Sequence, residues 1–119
     1  MATLKLQGVL PASVTPFDRK GEVDEPALRR HFRNLLGVEG VTGLVPNADA
    51  GEGKSLTPEE RKHIIRICVE EVKERVPVIA CINADSAPKA VESALEAKGA
   101  GASAILLSPA FSMAYRLAT

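Results

Sequence analysis

Four short apolar runs do most to constrain the fold: VLPASVTP from Val9, VTGLVP from Val41, VPVIACI from Val76 and ASAILLS from Ala102. None has the polar alternation of a strand that faces water on one side, and such runs fit strands buried on both faces of a parallel sheet. Between them lie stretches with helix start signals. Asp24 precedes Glu25 and Pro26, Thr57 precedes Pro58, Glu59 and Glu60, and Asp85 and Ser86 precede Pro88. Thr57 and Glu60 have the spacing of a capping box, in which hydroxyl and carboxylate satisfy orphan backbone donors reciprocally. In the second helical stretch Ile64, Ile65, Cys68, Val69 and Val72 share a stripe, while Glu59, Arg66, Lys73 and Glu74 lie largely on another, as in a helix laid on a sheet. The third presents Val91, Ala94 and Leu95 and ends at Lys98 and Gly99, a cation in the last turn followed by a terminating glycine.

The order is therefore βαβαβαβ. Short connections imply parallel strands with right-handed crossovers, which leaves an open doubly wound α/β sheet or a closed (β/α)8 barrel. Pattern alone does not choose. Strands recur about every 30 residues and a barrel takes about 250, so in the barrel reading residues 1–119 are its truncated N-terminal half, about the first four strands. Pro11 lacks the N–H of a ladder partner, so pairing in the first run begins late or is one-sided.

The 15 basic and 15 acidic residues are interspersed and the formal net charge is zero. No basic stripe exists to neutralise phosphates and no polybasic segment to hold a membrane surface, so neither nucleic acid nor membrane is an expected partner. The opening MATLKLQGVLPASVTPF lacks the apolar core of a signal peptide, and no stretch approaches the roughly 20 apolar residues of a membrane span. The reading is a cytoplasmic protein. Cys68 and Cys81 lie in apolar surroundings, where a free thiol behaves as a small hydrophobe. His31 and His63 stand at no metal-ligand spacing from either cysteine, so both take ordinary surface or packing roles and no metal or cofactor is expected.

The run from Ala48 to Ser55, ADAGEGKS, imitates a phosphate-cradling P-loop with its first glycine replaced by alanine. Three features oppose that reading. Pro58 falls where the P-loop helix would be in its first turns, Asp49 and Glu52 put carboxylates in an anion cradle, and AILLSP ends without the acidic residue that holds Mg²⁺.

Ala12 to Asp18 (ASVTPFD), Gly21 to Asp24 (GEVD), Gly51-Glu52 and Leu56 to Arg61 (LTPEER) occur in an order and spacing that resemble the dihydrodipicolinate synthase and N-acetylneuraminate lyase family over nearly the full chain. Thr15-Pro16, the turn from Asp18 to Gly21, Pro77 to Ala80 (PVIA) and Ser108-Pro109 match its other landmarks. The resemblance implies a partial TIM barrel. It also implies a Schiff base between a lysine on the sixth strand and a 2-oxo acid, with a proton-shuttling tyrosine on the fifth; the four strands read here include neither. Lys54 and Lys98 are substitutes by residue type only, since a reactive lysine needs desolvation or a cationic neighbour and Lys54 sits in an exposed loop.

What the resemblance places in this chain is the substrate's carboxylate site, in the loop after the second strand. Many members read Thr-Thr-Gly-Glu there; this sequence reads Asp49, Ala50, Gly51, Glu52, keeping the Ala50 and Gly51 backbone donors and losing both hydroxyls. Asp49 repels a 2-oxo acid carboxylate unless it points away or stays protonated. The stretch Asn47 to Glu52 is closer to the Asn-Gly-His-Ala-Gly-Glu variants, some of them sugar-acid dehydratases or aldolases. A purely structural reading has Gly51 supplying a positive φ and Glu52 bracing the turn. Phe111 falls near a family tyrosine that crosses a subunit interface, and a phenylalanine there packs without relaying a proton. Two readings follow: a fragment of a class I lyase or aldolase acting on pyruvate, a related 2-oxo acid or a sugar acid, inactive alone, or a noncatalytic half-barrel that assembles with itself or with a C-terminal half.

Overall fold

The computed structural model describes residues 4–109. Phe111 and the rest of the tail lie outside the described residues. Three helices form where the start signals stand: α1, Glu25–Leu36; α2, Pro58–Val72; and α3, Ala87–Gly99. Asp24 accepts from the Ala27 N–H, Thr57 and Glu60 complete the capping box, and Ser86 accepts from the Lys89 N–H. The glycine that ends α3 is Gly101, not Gly99. Its φ of 104° is the left-handed geometry of a Schellman turn, in which Ala102 N–H donates to Ala97 carbonyl and Gly101 N–H to Lys98 carbonyl, each at 3.0 Å.

Four extended lanes lie side by side in sequence order, all parallel. The first two runs meet through the bridges Val9 to Val41 and Ala12 to Val45, and the second meets the third through Leu44 to Val78. The last two runs are full strands, β1 (Ile79–Asn83) and β2 (Ala104–Ser108), paired from Ile79 with Ala104 to Asn83 with Ser108. Pairing at Pro11 is one-sided, as expected, because its carbonyl accepts from Val45 N–H at 3.0 Å while it has no N–H to return. It does not begin late, since Val9 already exchanges bonds with Gly40 and Thr42.

Alternation along the lanes sorts their side chains to two faces. Leu44, Val78 and Ala80 face the helices. Leu44 and Val78 pack with Leu28 and Phe32 of α1 and with Ile64, Ile67, Cys68 and Val72 of α2; Ala80 packs with Ile65 of α2 and Ala97 of α3. Val45, Ile79 and Cys81 face the other way and gather Leu10 and Ala104. The expected stripe of α2 is too narrow, because Ile67 and Glu71 are buried as well. Glu71 is accommodated by Arg33 (Nε at 2.9 Å) and Arg29 (Nη1 at 3.1 Å) of α1, so an ion-paired network joins the outer flanks of the two helices.

Two expectations of burial fail. On α3 the small residue Ala97 is buried against the sheet, while Val91 and Leu95 are 60% and 63% exposed and point away from it. In β2 Ile105, Leu106 and Leu107 are all exposed, although β1 beside it is buried on both faces. Among the described residues no further strand pairs with the outer edge of β2.

Candidate functional site

Parallel lanes bring their C-terminal ends to one side of the sheet, where Thr15, Asn47, Asn83 and Ser108 end the four runs. The chain leaves the second run through Asn47, whose φ of 65° turns it into a 3-10 turn, Asp49–Gly51. Asn47 is 1% exposed, and its side-chain N–H donates to the Arg61 carbonyl of α2 at 3.2 Å. The turn closes when the Gly51 and Gly53 N–H groups donate to the Ala48 carbonyl at 3.0 and 3.1 Å, and Glu52 N–H donates to the Asp49 carbonyl at 3.0 Å. A second 3-10 turn, Gly53–Ser55, leads to the cap of α2.

Both small residues of the loop are required by close approach. A Cβ on Gly53 would lie 1.9 Å from the Asn47 carbonyl oxygen, and one on Gly51 would lie 2.8 Å from that of Ser13. Gly51 does not supply a positive φ; that geometry belongs to Asn47 and Glu52, at 65° and 58°. The first run then pins the turn from below, since the buried Thr15 hydroxyl donates to the Gly51 carbonyl at 2.8 Å. Thr15 and Gly51 thus stand in one contact, although 36 positions separate them.

Asp49, Ala50 and Gly51 do come together in a single turn, with unequal prospects as donors. Gly51 N–H is engaged with Ala48, so the expectation that it is offered to a ligand fails. The ladder of the turn begins at that bond. Ala50 N–H, on an exposed residue, therefore has no partner within the turn, as with the first donors of any helical segment. The Asp49 carboxylate is drawn to Lys54 at 3.6 Å, with both side chains largely exposed. Ser13, Thr15, Asn47 and Gly53 support the turn and escaped the sequence reading as a set. All four stood within quoted motifs, but nothing local marks them as the supports of one turn.

The ADAGEGKS run forms two 3-10 turns, with Lys54 inside the second and the helix starting only at Pro58. All seven lysines fall within the described residues, and none is buried. Cys68 is buried without charged neighbours, and burial pushes its thiol up to about 12. His63 faces Glu25 at 3.2 Å, and His31 accepts from the Val14 N–H at 3.2 Å.

Comparison with known proteins agrees with this architecture. A 4-hydroxy-tetrahydrodipicolinate synthase of Bartonella bacilliformis is 43% identical over 102 residues, covering 86% of this chain and 34% of the relative. One from Nitratidesulfovibrio vulgaris is 46% identical over 104 residues, 87% of this chain and 35% of the relative. The chain thus spans about a third of the length of the curated relatives it matches. Among solved structures, dihydrodipicolinate synthase from Aquifex aeolicus superposes with a TM-score of 0.82 at 30% identity, covering 90% of this chain and 36% of that one. CdNal from Clostridium difficile, in complex with mannosamine, superposes with a TM-score of 0.79 at 32% identity, covering 87% and 36%. The neighbours are TIM-barrel proteins, and this chain matches part of them with its α/β lanes. The Dihydrodipicolinate synthetase family profile matches residues 5–113, and the chain belongs to that family.

Proposed function

We propose that these residues carry the carboxylate-binding portion of a class I, Schiff-base lyase or aldolase that acts on pyruvate, a related 2-oxo acid or a sugar acid. The 119-residue chain alone makes no imine. The supporting observation is the Asp49–Gly51 turn at the C-terminal side of the parallel lanes, with Ala50 N–H outside the turn's own bonding and Asp49 held by Lys54. Loops at that end of a barrel sheet are where substrate groups are bound. The chemistry requires a desolvated lysine, because only a neutral amine attacks a ketone, and the lysines here are solvated. A complete form joins this turn to a lysine-bearing strand. Two buried free thiols, Cys68 and Cys81, support a reducing, cytoplasmic setting.

Two measurements test the reading. Borohydride reduction with pyruvate, followed by mass spectrometry, should leave the chain unmodified, and a reduced adduct would overturn the claim of inactivity. Titration with pyruvate should move the Ala50 amide resonance saturably; a resonance that stays put would remove the carboxylate site.

Exposure of Ile105, Leu106 and Leu107 favours a second reading, in which the chain is a noncatalytic half-barrel assembling with itself or with a C-terminal half. Light scattering tests it, and a well-folded monomer would count against self-assembly.

A further inference from the structure

Val14 lies at the open edge of the sheet. Pro11 and Ser13 bond to Val45 on one side, and the alternation of an extended chain turns the Val14 N–H to the other. There it meets Nε2 of His31, on α1, at 3.2 Å. A backbone N–H is accepted only by an imidazole nitrogen with a free lone pair, so His31 is neutral here with its proton on Nδ1. Protonating Nε2 sets a donor against a donor.

Val14 also stands between the two residues that hold the Gly51 turn. The Ser13 carbonyl fills the space beside Gly51 that a Cβ would need, and the Thr15 hydroxyl donates to the Gly51 carbonyl. The imidazole thus fixes the middle of a three-residue segment whose two ends fix the turn. We propose that His31 is a proton-sensitive clasp: neutral, it anchors Val14, and protonated, it releases the segment from Ser13 to Thr15 and loosens the Gly51 turn.

Burial holds His31 below the ordinary imidazole range, so the clasp is closed at neutral pH and opens in acid. The Val14 bond acts in the same direction, because only the neutral ring accepts it, and the charged groups on the elements around the ring are engaged elsewhere or solvated. Asp18, in the turn after the first run, accepts from the Lys20 and Glu22 N–H groups. On α1, Glu25 pairs with Arg29 and with His63 of α2, Arg33 pairs with Glu71 of α2, and Arg30 is exposed. The clasp belongs to the fold; its bearing on ligand binding rests on the carboxylate reading above.

The test is an NMR titration of the full chain between about pH 8 and pH 5, following the His31 ring, exchange of the Val14 amide and the Gly51 amide shift. All three should share one midpoint below about 6.5. Val14 protection should fall about fivefold, the order expected for one hydrogen bond. In His31→Gln, whose amide oxygen accepts at every pH, neither Val14 nor Gly51 should titrate. The clasp is overturned if Val14 stays flat while the His31 ring titrates, or if Val14 and Gly51 still titrate in His31→Gln. If Val14 and Gly51 follow His31 while pyruvate leaves Ala50 unmoved, the clasp stands and the carboxylate reading falls.

Discussion

The Thr15 hydroxyl donates to the Gly51 carbonyl at 2.8 Å and so joins the ends of the first two lanes. Both residues are buried, so removing the donor leaves a carbonyl without its partner. Thr15→Val, which keeps the shape, should lower stability by about 1–2 kcal/mol, and Thr15→Ser should stay near wild type. Urea unfolding measures both, and equal midpoints for the valine and serine variants would show that the bond contributes nothing.

Glycine substitutions should separate close approach from mere flexibility. In Gly53→Ala the new methyl meets the Asn47 carbonyl oxygen at 1.9 Å, backbone against backbone, and should cost about 3 kcal/mol. Gly99→Ala places its methyl in open space at the end of α3, with nothing within 4 Å, and should raise stability by about 0.5–1 kcal/mol. Thermal melts of the two proteins should shift in opposite directions.

Acid should weaken the junction of α1 and α2. The hydrogen bonds from Arg33, and then Arg29, hold the Glu71 carboxyl below the usual carboxylate range despite its burial. Its folded pKa lies under the unfolded one, so its contribution is complete above the unfolded value and is lost as pH falls through the folded value. Arg33 is 59% exposed, which screens the pair, so Glu71→Gln should cost only about 1–2 kcal/mol at neutral pH. The variant should also show a flatter acid limb when stability is followed from neutral pH downward.

Cys68 should resist thiol reagents while the chain is folded. Its thiol is pushed up to about 12 by burial and no cation offsets that, so almost no thiolate forms at mildly alkaline pH. Modification at Cys68, read by mass spectrometry, should proceed at the rate of unfolding and rise with urea.

The helices were legible because their signals are local. Asp24, Thr57 and Ser86 each act within three residues of themselves, so a cap can be read without knowing the neighbours. The outward face of α3 was not legible, since Val91 and Leu95 are an apolar pair at i and i+4 whatever stands opposite them. The first two lanes looked like strands by composition but pair only through isolated bridges, Pro11 being unable to donate. The candidate turn was half legible. Gly51 could be named from its motif, but whether its N–H is offered outward depends on the Ala48 carbonyl, and its anchoring depends on Thr15 in a distant run.

The sequential lane order also bears on how the chain acquires its shape during synthesis. Each lane neighbours the one that precedes it, so every pairing closes a segment of about 30 residues and no lane waits for a distant partner, which keeps the closure entropy similar at each step. A polypeptide leaving the ribosome N-terminus first can therefore add each strand and helix to a surface already laid down. The freshly added strand is always the one with an unpaired outer edge, the position that β2 occupies here among the described residues.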